Sequence, residues 1–301
     1  MANREQKDKP SGSEIVLMIK ATYWLPEIIT RFFIQLFSRL NDRLKWKSTR
    51  VVRRNLALCF PELDEHETNQ RVKRFIQQNA FLTHEFATAW LGNRETIESK
   101  FAQVHGSELI DRCIAQKRPV IVAVPHIGNW EFFWHWLQFN YPLVGMYQPA
   151  KQLAVDELVL NARSRFGGQL FATDPKGIMG LLRALKTGKV LMILPDQAPR
   201  RGAGVYSPFF GQSAYTMTLL HKFIQKTDAQ LVFGSCIRQA KGKQFDIHIE
   251  APQFDSKLAD VEAFNAAMNQ QIETVINRWP DQYQWSYKRF KRQPEGKNPY
   301  A

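Results

Sequence analysis

The sequence predicts an α/β protein with a mostly parallel central sheet flanked by helices. Five short apolar runs read as buried strands: Val120 to Val124, Leu143 to Tyr147, Lys189 to Leu194, Leu231 to Cys236 and Phe245 to Ile249. Segments of helical period lie among them, at Asn129 to Phe139, Asp156 to Phe166, Lys176 to Thr187, Thr216 to Lys226 and Val261 to Arg278. Such alternation builds parallel strands joined by helical crossovers. Before residue 100 the pattern is helical only, and no internal repeat or linker divides the chain.

From the N-terminus, residues 1–13 are polar and charged and read as a disordered tail, without the apolar core of a cleavable signal peptide. Residues 14–48 form the next unit. Ile15, Leu17, Met18, Trp24, Ile29, Phe32, Phe33 and Leu36 make it strongly apolar, but Lys20, Glu27, Arg31 and Pro26 interrupt it. No window of about 18 residues is free of charge, so an amphipathic membrane-associated helix is expected rather than a clean span. A first helix packed on the core fits the same pattern. A basic cluster follows (Arg39, Arg43, Lys45, Lys47, Arg50, Arg53, Arg54), as beside an anionic lipid surface. Residues 49–301 form the remaining domain, opening with helical spacing over Glu65 to Trp90 (Val72, Phe75, Ile76, Ala80, Phe81).

The net charge of +13 over 301 residues implies an acidic partner: nucleic acid, an anionic membrane or an acidic protein. Nucleic acid is disfavoured, because no recognition module is present and the basic residues adjoin apolar segments. Three dispersed cysteines, Cys59, Cys113 and Cys236, have no metal or redox spacing and suggest a reducing compartment.

Strand ends carry the chemistry. In open α/β sheets, ligands sit at the carboxyl ends of the strands. Here Val120–Pro125 releases His126-Ile127-Gly128-Asn129-Trp130-Glu131. Within one helix, residues five apart sit about 140° from each other, so His126 and Glu131 meet only if the histidine precedes the helix. Pro125 and Gly128 mark the turn and Asn129 the cap, and Glu131 then orients the imidazole as a general base. On spacing alone a hydrogen-bonded strand-end histidine with a solvated glutamate is the better reading, and the chemistry of the neighbouring turns is what tips it towards a general base. A second strand end supplies Asp196, Gln197, Arg200 and Arg201, and a helix end supplies Arg163 and Arg165. Arginine forks suit phosphate or carboxylate. No Gly-x-Ser-x-Gly elbow, P-loop or dinucleotide fingerprint occurs. A His126/Glu131/His135 metal site is conceivable, but no metal is expected.

Taken in order, these blocks resemble the lysophospholipid acyltransferase superfamily, whose hallmark is His-x4-Asp/Glu, and within it the late acyltransferases of lipid A biosynthesis. Arg53–Glu62, Pro125–Glu131, Arg163–Gly167, Pro195–Gln197, Phe209–Gly211 with Thr216 and Thr218, and Trp285–Lys291 each resemble one of that branch's blocks. The resemblance implies a glycerol-phosphate-acyltransferase-like α/β sandwich. It implies transfer of a fatty acyl chain from acyl carrier protein to a hydroxyl of a Kdo2-lipid A precursor, with no other cofactor and no covalent acyl-enzyme. It implies the Gram-negative inner membrane, at its cytoplasmic face, held peripherally or by one N-terminal anchor. His126 is then the base and Glu131 its partner, Arg165 contacts the phosphorylated sugar or developing charge, and Asp196 helps hold the acceptor. The Gly128 backbone N–H offers oxyanion support, and Arg163 and Gln197 complete the binding set. Asp196-Gln197-Ala198-Pro199-Arg200 departs from the Glu-Gly-Thr-Arg of glycerolipid relatives, and Tyr287 replaces a histidine common in the branch. Another membrane lipid or glycolipid acceptor, such as an ornithine lipid, therefore stays open.

Overall fold

A computed structural model describes residues 11–26, 29–30, 32–33, 36, 47–240, 244–296 and 298–300. The tail expected at 1–13 falls, up to residue 10, outside the described residues, as do Arg39, Arg43 and Lys45 of the basic cluster. Among the described residues, no helix is long and apolar enough to cross a membrane.

The mostly parallel sheet is present, with seven strands in the order β1-β9-β8-β2-β5-β3-β4 among the described residues. These are β1 (Phe101–His105), β2 (Val120–Ala123), β3 (Leu143–Tyr147), β4 (Gln169–Ala172), β5 (Val190–Ile193), β8 (Gln230–Arg238) and β9 (Phe245–Glu250). β8, β2, β5, β3 and β4 run parallel, while β9 is antiparallel to β8 and pairs in parallel with β1. In the central strand β2, Val120 and Val122 join one apolar layer while Ile121 and Ala123 join the other. Burial on both faces makes such a strand a continuous apolar run. A separate hairpin, β6 (Gly204–Phe209) with β7 (Gln212–Met217), lies outside this sheet.

Helix α6 (Trp130–Asn140) covers one face with Phe132, Phe133 and Trp134, joined by α5 (Glu108–Ala115) and α4 (Arg94–Glu98). The opposite face is covered by α8 (Pro175–Lys186), α9 (Leu219–Thr227), α10 (Val261–Arg278) and α2 (Lys47–Cys59). α7 (Leu153–Ser164) links β3 to β4. Caps set several helix starts: Asp174 accepts from the Gly177 N–H at 2.7 Å, and Asp260 from that of Ala263 at 2.6 Å. Helix α3 (Glu65–Leu91) opens with a reciprocal Asp64/Glu67 capping box. At 27 residues it runs about 40 Å and contributes to both layers through Val72, Phe75 and Ala89.

The described part of the apolar N-terminal segment includes α1 (Ser13–Trp24), packed on α3 and α7. Its apolar residues point both ways, so this described part does not confirm the expected amphipathic helix. Val16, Ile19 and Tyr23 are half-buried, whereas Leu17, Met18 and Trp24 are 68%, 69% and 80% exposed.

Candidate active site

The site is built where β2 and β5 end side by side. Val120 pairs with Val190 and Ala123 with Ile193, so the chain beyond each strand emerges at the same edge. After β2, Gly128 turns at φ +58°, where a Cβ would lie 2.0 Å from the Cys236 carbonyl oxygen; only glycine fits. The turn is tied on all sides. Ile127 N–H donates to the Pro125 carbonyl (2.7 Å), Gly128 N–H to Gln282 (3.0 Å) and Asn129 N–H to Cys236 (2.8 Å). The Asn129 side chain accepts from the Phe132 N–H at 2.9 Å and caps α6.

The carboxylate that orients His126 is Asp196. Its Oδ1 is 2.7 Å from His126 Nδ1 and its Oδ2 accepts the His126 backbone N–H at 2.9 Å. Gripped at both points, the ring is set with Nδ1 towards Asp196, which leaves Nε2 as the proton-accepting nitrogen. Asp196 is 1% exposed and the His126 side chain 15%, so the carboxylate is sealed while the ring meets solvent. Trp130 stands edge-on to the ring with centroids 5.0 Å apart. Burial acts to raise the Asp196 carboxyl, but the charge and hydrogen bonds of His126 outweigh it, and the net displacement is downward. Burial and then the Asp196 charge push the neighbouring Tyr283 phenol well up, so it stays a neutral hydroxyl.

The expected His126–Glu131 contact is therefore corrected. Glu131, 2% exposed, instead accepts from both Nε (3.0 Å) and Nη2 of Arg163. The reason lies in the helix period. Glu131, Trp134, His135 and Gln138 share one face of α6. That face packs on the end of α7, where Trp134 Nε1 donates to the Arg163 carbonyl (2.9 Å) and Gln138 accepts from the Gly168 N–H (3.1 Å). Burial would raise the Glu131 carboxyl, but the Arg163 guanidinium holds it below the usual carboxylate range.

The remaining expected binding residues are mostly engaged within the chain. Arg163 is bonded to Glu131, the Gly128 N–H is taken, Gln197 Nε2 donates to Gln284 Oε1 at 2.9 Å, and Asp196 is committed to His126. Arg165 is exposed; one guanidinium donor goes to the Ala89 carbonyl (2.9 Å) and the group lies 4.6 Å from the Phe166 ring. Arg200 and Arg201 are exposed beyond Asp196. His135 is fully buried, with Nδ1 2.6 Å from Gln138 Nε2, and burial pushes its imidazole down to about 4. Among the described residues, no group of three or more His, Cys, Asp or Glu side chains is arranged to hold a metal ion. Phe132, Phe133 and Trp136, on the helix that follows the histidine turn, are packed in the core.

The C-terminal segment braces the site, a role that spacing gave no sign of. Gln284 N–H donates to the His126 carbonyl (2.9 Å), and the Tyr287 hydroxyl accepts from the Ala198 N–H (3.0 Å). Asn55 of α2 holds that segment, donating to the Trp285 carbonyl at 2.6 Å and the Tyr287 carbonyl at 2.8 Å. Blocks far apart in sequence thus converge on one loop system.

The family model described as "Bacterial lipid A biosynthesis acyltransferase" matches residues 14–292. The chain is 30% identical over 259 residues to the lipid A biosynthesis lauroyltransferase of Escherichia coli (strain K12), covering 86% of this chain and 84% of the relative. It is 26% identical over 279 residues to a lipid A biosynthesis acyltransferase of Haemophilus influenzae (strain ATCC 51907 / DSM 11121 / KW20 / Rd), covering 91% and 88%. The lipid A biosynthesis myristoyltransferase of Escherichia coli (strain K12) is 26% identical over 273 residues, covering 87% and 81%.

Proposed function

This chain belongs to the bacterial lipid A biosynthesis acyltransferase family, and from that premise we propose that it moves a fatty acyl chain from acyl carrier protein to a hydroxyl of a Kdo2-lipid A precursor. His126 is the general base. A secondary hydroxyl is far too weak an acid to ionise at neutral pH, so its proton must leave as its oxygen attacks the thioester carbonyl. His126 Nε2 takes that proton while Asp196, bonded at Nδ1, balances the imidazolium charge. Collapse of the tetrahedral intermediate breaks the C–S bond, and the imidazolium returns the proton to the departing thiolate. General-base assistance of this kind contributes about 10²–10⁴-fold. No covalent acyl-enzyme is formed, and the carrier-borne thioester is the only cofactor required. With the Gly128 N–H already bonded, the exposed Arg165 guanidinium is the group offered to the developing oxyanion or to a sugar phosphate. The observation that carries this reading is the Asp196–His126 pair at adjacent strand ends, its carboxylate sealed and its imidazole open.

The reading includes a place for the lipid. Leu17, Met18 and Trp24 of α1, with Leu25 just beyond it, make an exposed apolar outer face, and Tyr23 of the same helix lies close enough to Arg165 to act on its charge. An apolar face beside the site, on a chain of net charge +13, suits the cytoplasmic leaflet of the inner membrane and an acidic carrier protein. The test is incubation with tetra- and penta-acylated precursors and carrier proteins loaded with different chains, read by mass spectrometry. One added acyl chain on a lipid A precursor supports the proposal. Acylation of an ornithine lipid or another glycolipid in its place would reject the acceptor and keep the chemistry.

A further inference from the structure

The loop that carries Asp196 is laced to the C-terminal segment, and cations gather where the two meet. Beyond Asp196, Gln197 Nε2 donates to Gln284 Oε1 (2.9 Å), the Ala198 N–H to the Tyr287 hydroxyl (3.0 Å) and Arg292 Nη1 to the Pro199 carbonyl. Arg200 and Arg201 follow at once and are exposed. From the other segment, Lys288, Lys291 and Arg292 each stand over a tyrosine ring, 5.6 Å from the centroid of Tyr300, 4.7 Å from that of Tyr287 and 5.4 Å from that of Tyr215. Arg289, by contrast, turns inward: it is 3% exposed and its Nη1 donates to the Tyr215 carbonyl at 2.7 Å. Neither Gln197 to Thr227 nor Gln282 to Pro294 contains an Asp or Glu. Among the described residues, none of Arg200, Arg201, Lys288, Lys291 and Arg292 is in an ion pair.

Only four residues of chain lead from Asp196 to Arg200, so the cluster begins within about 14 Å of the carboxylate that holds His126. The two neighbours of the His126 ring lead to different surfaces. Trp130 stands against the ring and against Phe86 of α3, with centroids 5.0 Å apart in each case, and α3 carries α1 with its exposed apolar residues. Asp196 leads instead to the cations. Among the described residues of their two segments, Tyr206 is the only large apolar side chain that is exposed. A surface that enters lipid needs exposed apolar side chains, as α1 has. A surface that is basic and nearly without them fits an acidic soluble partner through charge. We propose that this cluster is the docking face for the acyl carrier protein. An acidic face of the carrier pairs with Arg200, Arg201, Lys288, Lys291 and Arg292, and its flexible arm presents the thioester to His126, while the lipid acceptor arrives from the side of α1. This rests on the reading of the chain as a carrier-dependent acyltransferase. Unpaired cations beside the base also speed the encounter with an acidic donor.

The test is charge reversal, with transfer kinetics read separately for each substrate. Arg200→Glu combined with Arg201→Glu should raise KM for the acylated carrier about ten-fold or more, with kcat at saturating donor and KM for the lipid acceptor changed by less than about two-fold. Lys291→Glu, on the other segment, should move the donor KM in the same direction, and it decides alone should the pair not fold. Arg183→Glu with Lys186→Glu makes the same change in net charge on α8, before β5 rather than after it, and should leave the donor KM within about two-fold of wild type. Added salt should raise the donor KM of wild type and narrow its advantage over the reversed pair. An acyl-pantetheine donor, which keeps the thioester and lacks the protein, should be used equally by wild type and variants. A rise in KM for the acceptor in place of the donor would give the cluster to lipid phosphates and overturn the assignment. An equal loss on acyl-pantetheine, or an equal effect of the α8 pair, would overturn it too. Wild-type protein that takes its acyl chain from another thioester and not from acyl carrier protein would instead defeat the underlying reading, and so distinguishes the two failures.

Discussion

Replacing Glu131 by alanine separates a structural ion pair from a catalytic dyad. The carboxylate is 2% exposed and both its oxygens accept from Arg163, whose side chain is 23% exposed. Removing one member of a buried pair costs about 3–5 kcal/mol because the surviving charge stays behind uncompensated. The partial exposure of Arg163 places Glu131→Ala near the lower figure, about 3 kcal/mol. For a chain of 301 residues, an unfolding entropy of roughly 2.1 cal/mol/K per residue turns that into a fall of about 5 °C in Tm. The double replacement Glu131→Leu with Arg163→Met should recover most of the fall, since both desolvation costs disappear together. The assay is thermal unfolding in detergent followed by circular dichroism, with initial transfer rates on the same preparations. Glu131→Ala with Tm within about 1 °C of wild type but turnover as low as that of a His126 variant would refute the reasoning, because it would return Glu131 to the imidazole.

Three further outcomes follow from the same contacts. Asp196→Asn should reduce kcat by about 10²–10⁴-fold, because an amide cannot balance an imidazolium; steady-state kinetics at saturating acceptor reads this, and a loss under about ten-fold contradicts it. Gly128→Ala should lower both Tm and turnover, since its Cβ would meet the Cys236 carbonyl at 2.0 Å in a backbone held at φ +58°; a variant indistinguishable from wild type would show that the turn is pliable. His135 supplies a pH dependence. Its folded value of about 4 lies below that of a free imidazole, so the unfolded chain takes up the proton first. The stability that neutral His135 contributes is full above about pH 6.5 and is lost as pH falls towards 4, whereas the depressed Asp196 and Glu131 carboxyls lose theirs only below about pH 4. Tm measured from pH 7 to 5 should therefore fall more steeply in wild type than in His135→Gln, and equal slopes would contradict the assignment.

The buried centre of the fold was legible in the sequence because burial on both faces writes continuous apolar runs. Leu143–Tyr147 and Val261–Arg278 match their expected bounds, and β2, β5, β8 and β9 differ only at their ends. Strands β1 and β4 left no such trace, being short edge strands with mostly exposed or half-buried residues. The β6–β7 hairpin was missed as well. Thr216, expected to open a helix, pairs with Val205, and α9 begins only at Leu219. At the site, His126 was legible from its release at a strand end, and Asp196 from the neighbouring strand end. The bond between them was not, because it depends on β2 and β5 lying side by side, a fact of sheet order rather than of spacing. Glu131 drew attention by proximity in sequence, yet the 131/134/135/138 face of α6 turns it to Arg163. Arg289 lies inside the Trp285–Lys291 block, but only the folded hairpin shows that its charge is buried.

The central claim is that His126 removes the proton from a lipid hydroxyl as it attacks a carrier-borne thioester. The direct measurement is the single-turnover rate of acyl transfer by His126→Ala, taken beside its Tm and its acceptor affinity. The account predicts a rate about 10²–10⁴-fold below wild type, with affinity nearly unchanged and a lowered Tm in a protein that still folds, since the sealed Asp196 carboxylate loses the ring but keeps the His126 backbone N–H. Transfer at the wild-type rate by a folded His126→Ala protein would contradict it.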